Sequence, residues 1–262
     1  MKILFFGDIV GKIGRQAISY HLPDLIKLHE PDLVLANGEN LAHGMGLTEK
    51  TILEMQTAGI NFFSTGNHVY DNTQGKEYLN KTEAPVLKPA NLDGPGNGYA
   101  IIKQAEHNIL FINLLGKVFI DKNQSCPFKT FDIILQATAE VKPKIIIVDF
   151  HAEATSEKQT FWYYVNGRAS AVLGTHTHVA TANPRLSSLG TALVEDVGMV
   201  GGSDTVLGDK KESIINRFLT GIKTALEPTE QGPVMINAVL LNIDDSTGKT
   251  TNIKRIDLVS ET

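Results

Sequence analysis

His176 and His178 follow a short apolar run, Ala171 to Leu173, that stops at Gly174. On an extended segment that separation turns both imidazoles to the same side, which is metal-ligand spacing. Taken alone, an H-x-H pair is more often two polar loop residues, so the rest of the chain has to supply partners. It does so repeatedly. Asp8, Glu39 with Asn40, Asn67 with His68, and His151 each stand just beyond a short apolar run. Asp8 by itself reads as a cap or turn residue, and Asn67 as a turn residue after Gly66; their recurrence at successive run ends favours the metal reading. The donors are nitrogen and oxygen without thiolate, a set that suits manganese, iron or zinc and not copper(I) or an iron–sulfur cluster. They outnumber what one tetrahedral ion takes, so a pair of ions is the economical reading, held together by a bridging carboxylate. Such a pair acidifies a shared water to hydroxide and neutralises phosphoryl oxygens during in-line displacement, which makes phosphoester hydrolysis the natural reaction class. The leaving alkoxide then needs a proton, and an imidazole beside the cage is suited to give it.

The elements that must position these groups are strands and helices of an α/β fold. Ile3 to Phe6, Asp32 to Ala36, Asn61 to Ser64, Lys144 to Val148 and Ala171 to Leu173 read as buried strands. In open α/β sheets ligands bind beyond the carboxyl ends of the strands, so donors at those ends converge on one side. Helical spacing from Arg15 through Leu22 is followed by Pro23, which predicts a break and a second short helix through Leu28, closed by Pro31. Thr48 caps a helix that Gly59 ends, and Phe131 to Leu135 also reads as helical. Strands near Gly98 to Ile102, Asn108 to Leu114 and Val234 to Ile243, with a last one running to Leu258, predict a hairpin-rich second sheet. Asp209-Lys-Lys-Glu212 resembles a capping box opening a helix through Ile215 and Leu219. Gly198 to Gly208, around Asp196 and Asp204, reads as turn geometry packed under the site. No linker composition divides the chain, so residues 1–262 are expected to form a single domain.

Composition narrows the partners. A chain of 262 residues with 42% hydrophobic content and a net charge of −5 is an ordinary globular composition and does not suit a broad polyanion-binding surface, so duplex nucleic acid is not expected. Cys126 is the single cysteine, which rules out an intrachain disulfide and a thiolate zinc cage. The N-terminal apolar run is too short for a signal peptide or a membrane span, and no later run reaches spanning length. A cytoplasmic protein without membrane association is the expectation.

In order along the chain, Asp8, Gly38-Glu39-Asn40, Gly66-Asn67-His68, His151 and Gly174-Thr-His176-Thr-His178 resemble the scattered motifs of the calcineurin-like metallophosphoesterase superfamily. Two positions depart from the common pattern: Val10 stands where Asp-x-His places a ligand, and Glu39 where a bridging Asp is usual. These departures, with Asp8-Ile-Val-Gly-Lys-Ile-Gly-Arg15, Asn37-Gly-Glu-Asn40, His151-Ala-Glu-Ala-Thr-Ser-Glu157 and Asp196-Val-Gly-Met199, are similar to the YmdB-type bacterial phosphodiesterases that act on 2′,3′-cyclic nucleotides. The resemblance implies a four-layer α/β/β/α sandwich of two mixed sheets. It further implies that Asp8, Glu39, Asn40 and His178 hold one metal and Glu39, Asn67, His151 and His176 the second, with Glu39 bridging and His68 as proton donor. Asn40 would fill the place left by Val10. Two divalent or mixed-valence ions, iron or manganese with zinc also admitted, a small phosphodiester or nucleotide substrate opened to a 3′-phosphate, and self-association belong to the same set of implications. His43 stands where the branch would be expected to carry a small residue, so substrate access differs locally.

Other groups read more plainly. Asp149 precedes His151 and is an alternative ligand, although the resemblance favours the histidine. Asn37 reads as a structural hydrogen-bonding residue. Arg15 and Lys12 are either phosphate-steering charges or ordinary surface ion pairs. His21, His29, His43 and His107 read as surface or loop histidines. Gly7 to Lys12 lacks the spacing and the Ser or Thr of a P-loop. Two other functions compete with a phosphodiesterase: a metal-dependent amidohydrolase, which also uses an H-x-H pair but near the first strand of a barrel, and a nucleotide- or protein-binding regulator that keeps a metal site.

Overall fold

A computed structural model describes residues 1–223 and 225–261. The first half runs β1 (Lys2–Ile9), α1 (Gly11–His29), β2 (Leu33–Asn37), α2 (Glu49–Ala58), β3 (Phe62–Ser64), α3 (Thr73–Tyr78), β4 (Tyr99–Gln104), β5 (His107–Leu115) and α4 (Pro127–Ala137). The second runs β6 (Ile145–His151), α5 (Thr155–Val165), β7 (Ala171–Thr175), β8 (Arg185–Leu186), β9 (Ala192–Val194), β10 (Met199–Gly202), α6 (Lys211–Thr220), β11 (Val234–Ile243) and β12 (Thr250–Ser260). The strands form two six-stranded mixed sheets, ordered β12-β11-β10-β1-β2-β3 and β4-β5-β6-β7-β9-β8.

Successive strand residues point to opposite faces, and here both faces of each sheet are apolar. Ile3, Phe5, Leu33 and Leu35 meet Ile109, Phe111, Ile147 and Leu173 between the sheets. Leu4, Phe6, Val34 and Ala36 face Ile18 and Leu22 of α1 and Ile52 and Met55 of α2. On the far side, Leu110, Ile112 and Val148 pack on Phe131 of α4 and Phe161 and Trp162 of α5. Each such fully buried side chain contributes about 1.5–3 kcal/mol. The layers are therefore helix, sheet, sheet, helix, as expected. The sheets are open, so the barrel that an amidohydrolase reading requires is not formed. Among the described residues no helix is long and apolar enough to cross a membrane.

Several local expectations are corrected. Pro23 does not break the first helix; α1 is continuous to His29 and ends at Glu30 with φ 48°. Pro23 and Ser19, whose carbonyl loses its bond, both lie on the exposed face, where water replaces the missing donor. The two C-terminal strands do not join β4 and β5: β11 pairs antiparallel with β1 and β12 with β11 in the first sheet. The segment from Met199 is strand β10, parallel to β1, and not turn geometry alone. Helix α6 begins after Lys210 without a side-chain cap, so Asp209 does not open a capping box. Helices α3 and α5 were not foreseen; α5 buries Lys158 on its inner face, which spoils the apolar pattern.

Candidate active site

Asp8 sits two residues before Val10 at the carboxyl end of β1, beyond a register shift between Phe6 and Asp8. Gly7 makes this possible, because a Cβ there would lie 1.9 Å from the Gly198 carbonyl oxygen. The Asp8 amide donates to that carbonyl at 3.0 Å. Its carboxylate is wholly buried; Oδ2 accepts from the His176 amide at 3.1 Å and Oδ1 has no hydrogen-bond partner. Burial raises the Asp8 pKa, and the nearby His178 and His151 offset this only in part.

Strand β2 ends at Asn37, whose Oδ1 accepts from the Glu39 amide at 2.9 Å and so turns the chain inward. Glu39 is buried; its Oε1 accepts from the His68 amide at 2.9 Å, and its Oε2 lies 3.5 Å from His151 Nε2. Burial pushes the Glu39 carboxyl up, but His151 and His68 together outweigh it and the net pKa is lowered. Asn40 donates through Nδ2 to the Gly44 carbonyl at 2.7 Å. Its Oδ1 is left buried without a partner.

Beyond β3, Gly66 allows the backbone to pass against the cluster: a Cβ there would be 1.9 Å from Glu39 Oε2 and 2.3 Å from His151 Nε2. Asn67 Oδ1 lies 3.2 Å from His151 Nε2. His68 Nδ1 is 2.6 Å from Asp71 Oδ2. A carboxylate only accepts, so it favours the proton on Nδ1 and leaves Nε2 facing elsewhere.

His151 ends β6, with Nδ1 2.9 Å from Thr175 Oγ1. Burial would hold its pKa down, yet Glu39, Asp8 and Asp149 raise it to about 9. Asp149 is engaged on both oxygens, accepting from Thr175 Oγ1 at 2.7 Å and Asn37 Nδ2 at 2.8 Å and from the Ser64 hydroxyl. Burial pushes the Asp149 carboxyl up to about 6. Asn37 is thus the structural hydrogen-bonding residue it was expected to be.

The H-x-H pair departs from expectation in its backbone. Strand β7 ends at Thr175, and His176 and His178 have φ of 104° and 62°. They reach one side through a left-handed turn and not through strand alternation, a conformation that costs a non-glycine residue of order 1–3 kcal/mol. The two rings diverge. His178 Nδ1 donates to the Leu207 carbonyl at 2.8 Å, with Nε2 3.8 Å from Asp8 Oδ1. His176 Nδ1 is 3.1 Å from His151 Nε2, while its Nε2 is 3.0 Å from Glu153 Oε2. Burial and the neighbouring His151 push the His176 pKa down to about 3.

All eight side chains singled out above thus lie together at the carboxyl ends of strands from both sheets. Glu39, Asn40, His68, His151, His176 and His178 line one cavity with Val10, His43, Met45, Leu207, Asp209, Leu226 and Pro228. Counting His, Cys, Asp and Glu alone, no ready-made metal cage of three is found among the described residues. The donor set here includes two amides and is spread over two ends. The fit to cations rests on three buried oxygens with no hydrogen-bond partner among the described residues, Asp8 Oδ1, Glu39 Oε2 and Asn40 Oδ1. Unpaired buried oxygens are costly unless a ligand satisfies them.

Sequence reasoning missed Asp71, which a carboxylate three residues after His68 could have signalled, and Glu153, two residues after His151. His43 is not an ordinary loop histidine but lines the cavity, at φ 53°. Arg15 is not at the site: it pairs with Glu54 at 2.8 Å and donates to the Leu41 carbonyl. Lys12 lies on the surface, 4.0 Å from Glu230. His107 reaches Asp245 at 3.6 Å, and His21 meets the Tyr20 ring edge-to-face.

Residues 4–256 match the family described as YmdB-like protein. The chain is 40% identical to the 2′,3′-cyclic-nucleotide 2′-phosphodiesterase of Bacillus subtilis, over 98% of this chain and 96% of that one. It superimposes on the crystal structure of a novel phosphatase from Mycoplasma pneumoniae with a TM-score of 0.92, 32% identity, and 100% and 94% of the two chains covered. The calcineurin-like phosphoesterase YfkN from Bacillus subtilis shares the fold alone, with a TM-score of 0.58 at 9% identity over 100% of this chain and 90% of that one.

Proposed function

The chain belongs to the YmdB-like protein family, and from that footing we propose that it is a metal-dependent phosphodiesterase that hydrolyses 2′,3′-cyclic nucleotides to 3′-nucleotides. The observation that carries this reading is the set of buried oxygens of Asp8, Glu39 and Asn40 without a hydrogen-bond partner among the described residues, those of Glu39 and Asn40 in the lining of a cavity that His68, His151, His176 and His178 also line. The name of the Bacillus subtilis relative supports the substrate class.

In this reading Asp8, Glu39, Asn40 and His178 would hold one cation and Glu39, Asn67, His151 and His176 the other, iron, manganese or zinc by the nitrogen and oxygen donors, and the bound pair would supply an acidified water and neutralise phosphoryl charge. The protein supports this with fixed tautomers. Thr175 and Leu207 engage Nδ1 of His151 and His178, which leaves Nε2 of each ring to act as donor atom. Glu153 engages Nε2 of His176 and leaves its Nδ1.

His68 gives a proton to the departing ribose 2′ oxygen as the bond from phosphorus to that oxygen breaks. Asp71 holds the ring by Nδ1, so the transferable proton is the one on Nε2, and the half-buried ring lines the cavity. The bond to the 3′ oxygen stays intact, which gives the 3′-phosphate.

The test is a turnover assay on purified protein with bound metal quantified. Release of 3′-AMP from 2′,3′-cyclic AMP, with a His68→Ala loss in kcat of about 10²- to 10⁴-fold, is expected. An unchanged rate in His68→Ala, or no turnover of any phosphodiester by metal-replete protein, would sink the reading.

A further inference from the structure

Asp209 is the residue whose sequence role the structure removes without giving it another. It does not cap α6. Its backbone is instead pinned on both sides, pairing with Val206 and Pro228, and the Lys210 amide beside it donates to the Glu227 carbonyl at 2.9 Å. Its carboxylate makes no hydrogen bond or ion pair among the described residues, although it lies within the field of His178 and Glu227, and the residue lines the cavity.

The wall around it is built, not incidental. Gly44 and Pro228 come together because Gly44 has no side chain; a Cβ there would lie 2.4 Å from Pro228 Cγ. Asn40 fastens the same loop by its bond to the Gly44 carbonyl at 2.7 Å. Gly208, at φ 100°, fits against Val10, whose Cγ1 would be 2.7 Å from an added Cβ. Two loops are thereby clamped over the floor, and they present Met45, Leu207, Leu226 and Pro228 as an apolar face with His43 beside it.

Such a surface, apolar except for one imidazole and one carboxylate, has the chemistry that a nucleobase complements. An ionised carboxylate is acceptor-only. Its match is a base edge with two adjacent N–H donors, and guanine N1–H and N2–H provide that. Adenine and cytosine pair one donor with an acceptor nitrogen, and uracil flanks its single N–H with two carbonyls. The same negative charge disfavours a phosphate set directly against Asp209, which leaves the base as the part of the substrate suited to that wall.

We propose that Asp209 and His43 form a base-recognition subsite, Asp209 accepting the two N–H groups of guanine and His43 stacking on the ring, so that the enzyme selects guanosine 2′,3′-cyclic phosphate among the four cyclic nucleotides. This rests on the phosphodiesterase reading above.

The experiment compares kcat/KM for the four 2′,3′-cyclic nucleotides in the wild type and in Asp209→Asn, with bis(p-nitrophenyl) phosphate as a substrate that has no base. Binding of 3′-GMP and 3′-AMP to the same two proteins is measured by calorimetry. Wild type is expected to favour the guanosine substrate by on the order of tenfold or more. In Asp209→Asn, which offers a donor beside its acceptor, the guanosine-to-adenosine ratio should collapse. That ratio is taken within each protein, so any loss common to all substrates cancels. His43→Ala should weaken all four nucleotides together. Equal kcat/KM for the four bases, or a ratio unchanged by Asp209→Asn, would overturn the subsite while turnover of the aryl diester leaves the phosphodiesterase reading standing. Should no diester be hydrolysed, the phosphodiesterase reading falls, and the calorimetric 3′-GMP to 3′-AMP ratio still decides for or against the subsite.

Discussion

Lys158 Nζ lies 2.9 Å from Asp196 Oδ2, with both side chains buried, and this pair underlies the turn that carries His176 and His178. Lys158 also donates to the Thr175 carbonyl at 3.0 Å. Asp196 Oδ2 accepts from the Thr177 amide at 2.9 Å, and Oδ1 from the Gly198 amide at 2.9 Å. The backbone between the two histidines is therefore held from below by one ion pair. Its left-handed conformation persists because these bonds over-determine it.

Replacing Lys158 with Met should leave the Asp196 charge buried and alone. The expected cost is about 3–5 kcal/mol, a fall in Tm on the order of 10 °C for a chain of this size. Urea unfolding and metal content, measured on the same preparation, check it; a variant as stable as wild type would show that the pair does not hold the turn.

Asp71→Asn should lower kcat by on the order of tenfold, well short of the loss from removing the imidazole itself. The amide no longer fixes the proton on His68 Nδ1, yet the ring stays in place. Little change in KM is expected, because Asp71 does not line the cavity. Steady-state kinetics on 2′,3′-cyclic AMP separate the two constants, and a rise in KM with unchanged kcat would contradict the role.

Gly66→Ala tests the packing at the floor. The backbone there is not in the left-handed region, so the added methyl meets only a lack of space, against Glu39 Oε2 and His151 Nε2. Glu39 or His151 must move, and we expect at least a tenfold loss of bound metal with a circular dichroism spectrum like that of wild type. Full metal occupancy in this variant would mean that the cluster tolerates displacement.

Lys88 supplies a pH dependence away from the site. Burial lowers its pKa below the 10.5 of an exposed lysine, although Asp93 acts in the opposite sense. Its ammonium donates to the Leu92 carbonyl at 2.6 Å and the Pro89 carbonyl at 3.2 Å and has no carboxylate within bonding reach among the described residues. The unfolded chain holds this proton more tightly, so stability contributed here rises with pH between the lowered folded value and 10.5. Wild-type urea stability minus that of Lys88→Met should therefore grow as pH rises through the lowered folded value toward 10.5; a flat difference on approaching pH 10.5 would refute the depressed pKa.

The sequence made the site legible where chemistry coincides with a strand end. Asp8, His151 and the residues after Leu173 stand beyond unbroken apolar runs, and alternation does not blur the signal because both faces of each sheet are buried. The layers were also accessible. The support for the site was less so. Asp149 and Asn37 are 112 residues apart in sequence, and Lys158 reaches Asp196 across 38; no local pattern encodes such bonds. Pro23 misled because its effect depends on which helix face meets water. Asp209 misled because a capping motif and a cavity wall have the same composition, and only the start of α6 tells them apart. The placement of β11 beside β1 is a choice between two apolar sheets that hairpin propensity cannot make.

One consequence follows from the division of the site between the sheets. Asp8, Glu39, Asn40, Asn67 and His68 hang from the first sheet, and His151, His176 and His178 from the second. Neither half offers a complete set, and the inner apolar faces that unite them are the same surfaces that would drive early collapse. Competence for metal loading should thus be acquired late in refolding, in one step, when the halves dock. The appearance of bound metal in a stopped-flow experiment would serve as a clock for that final assembly.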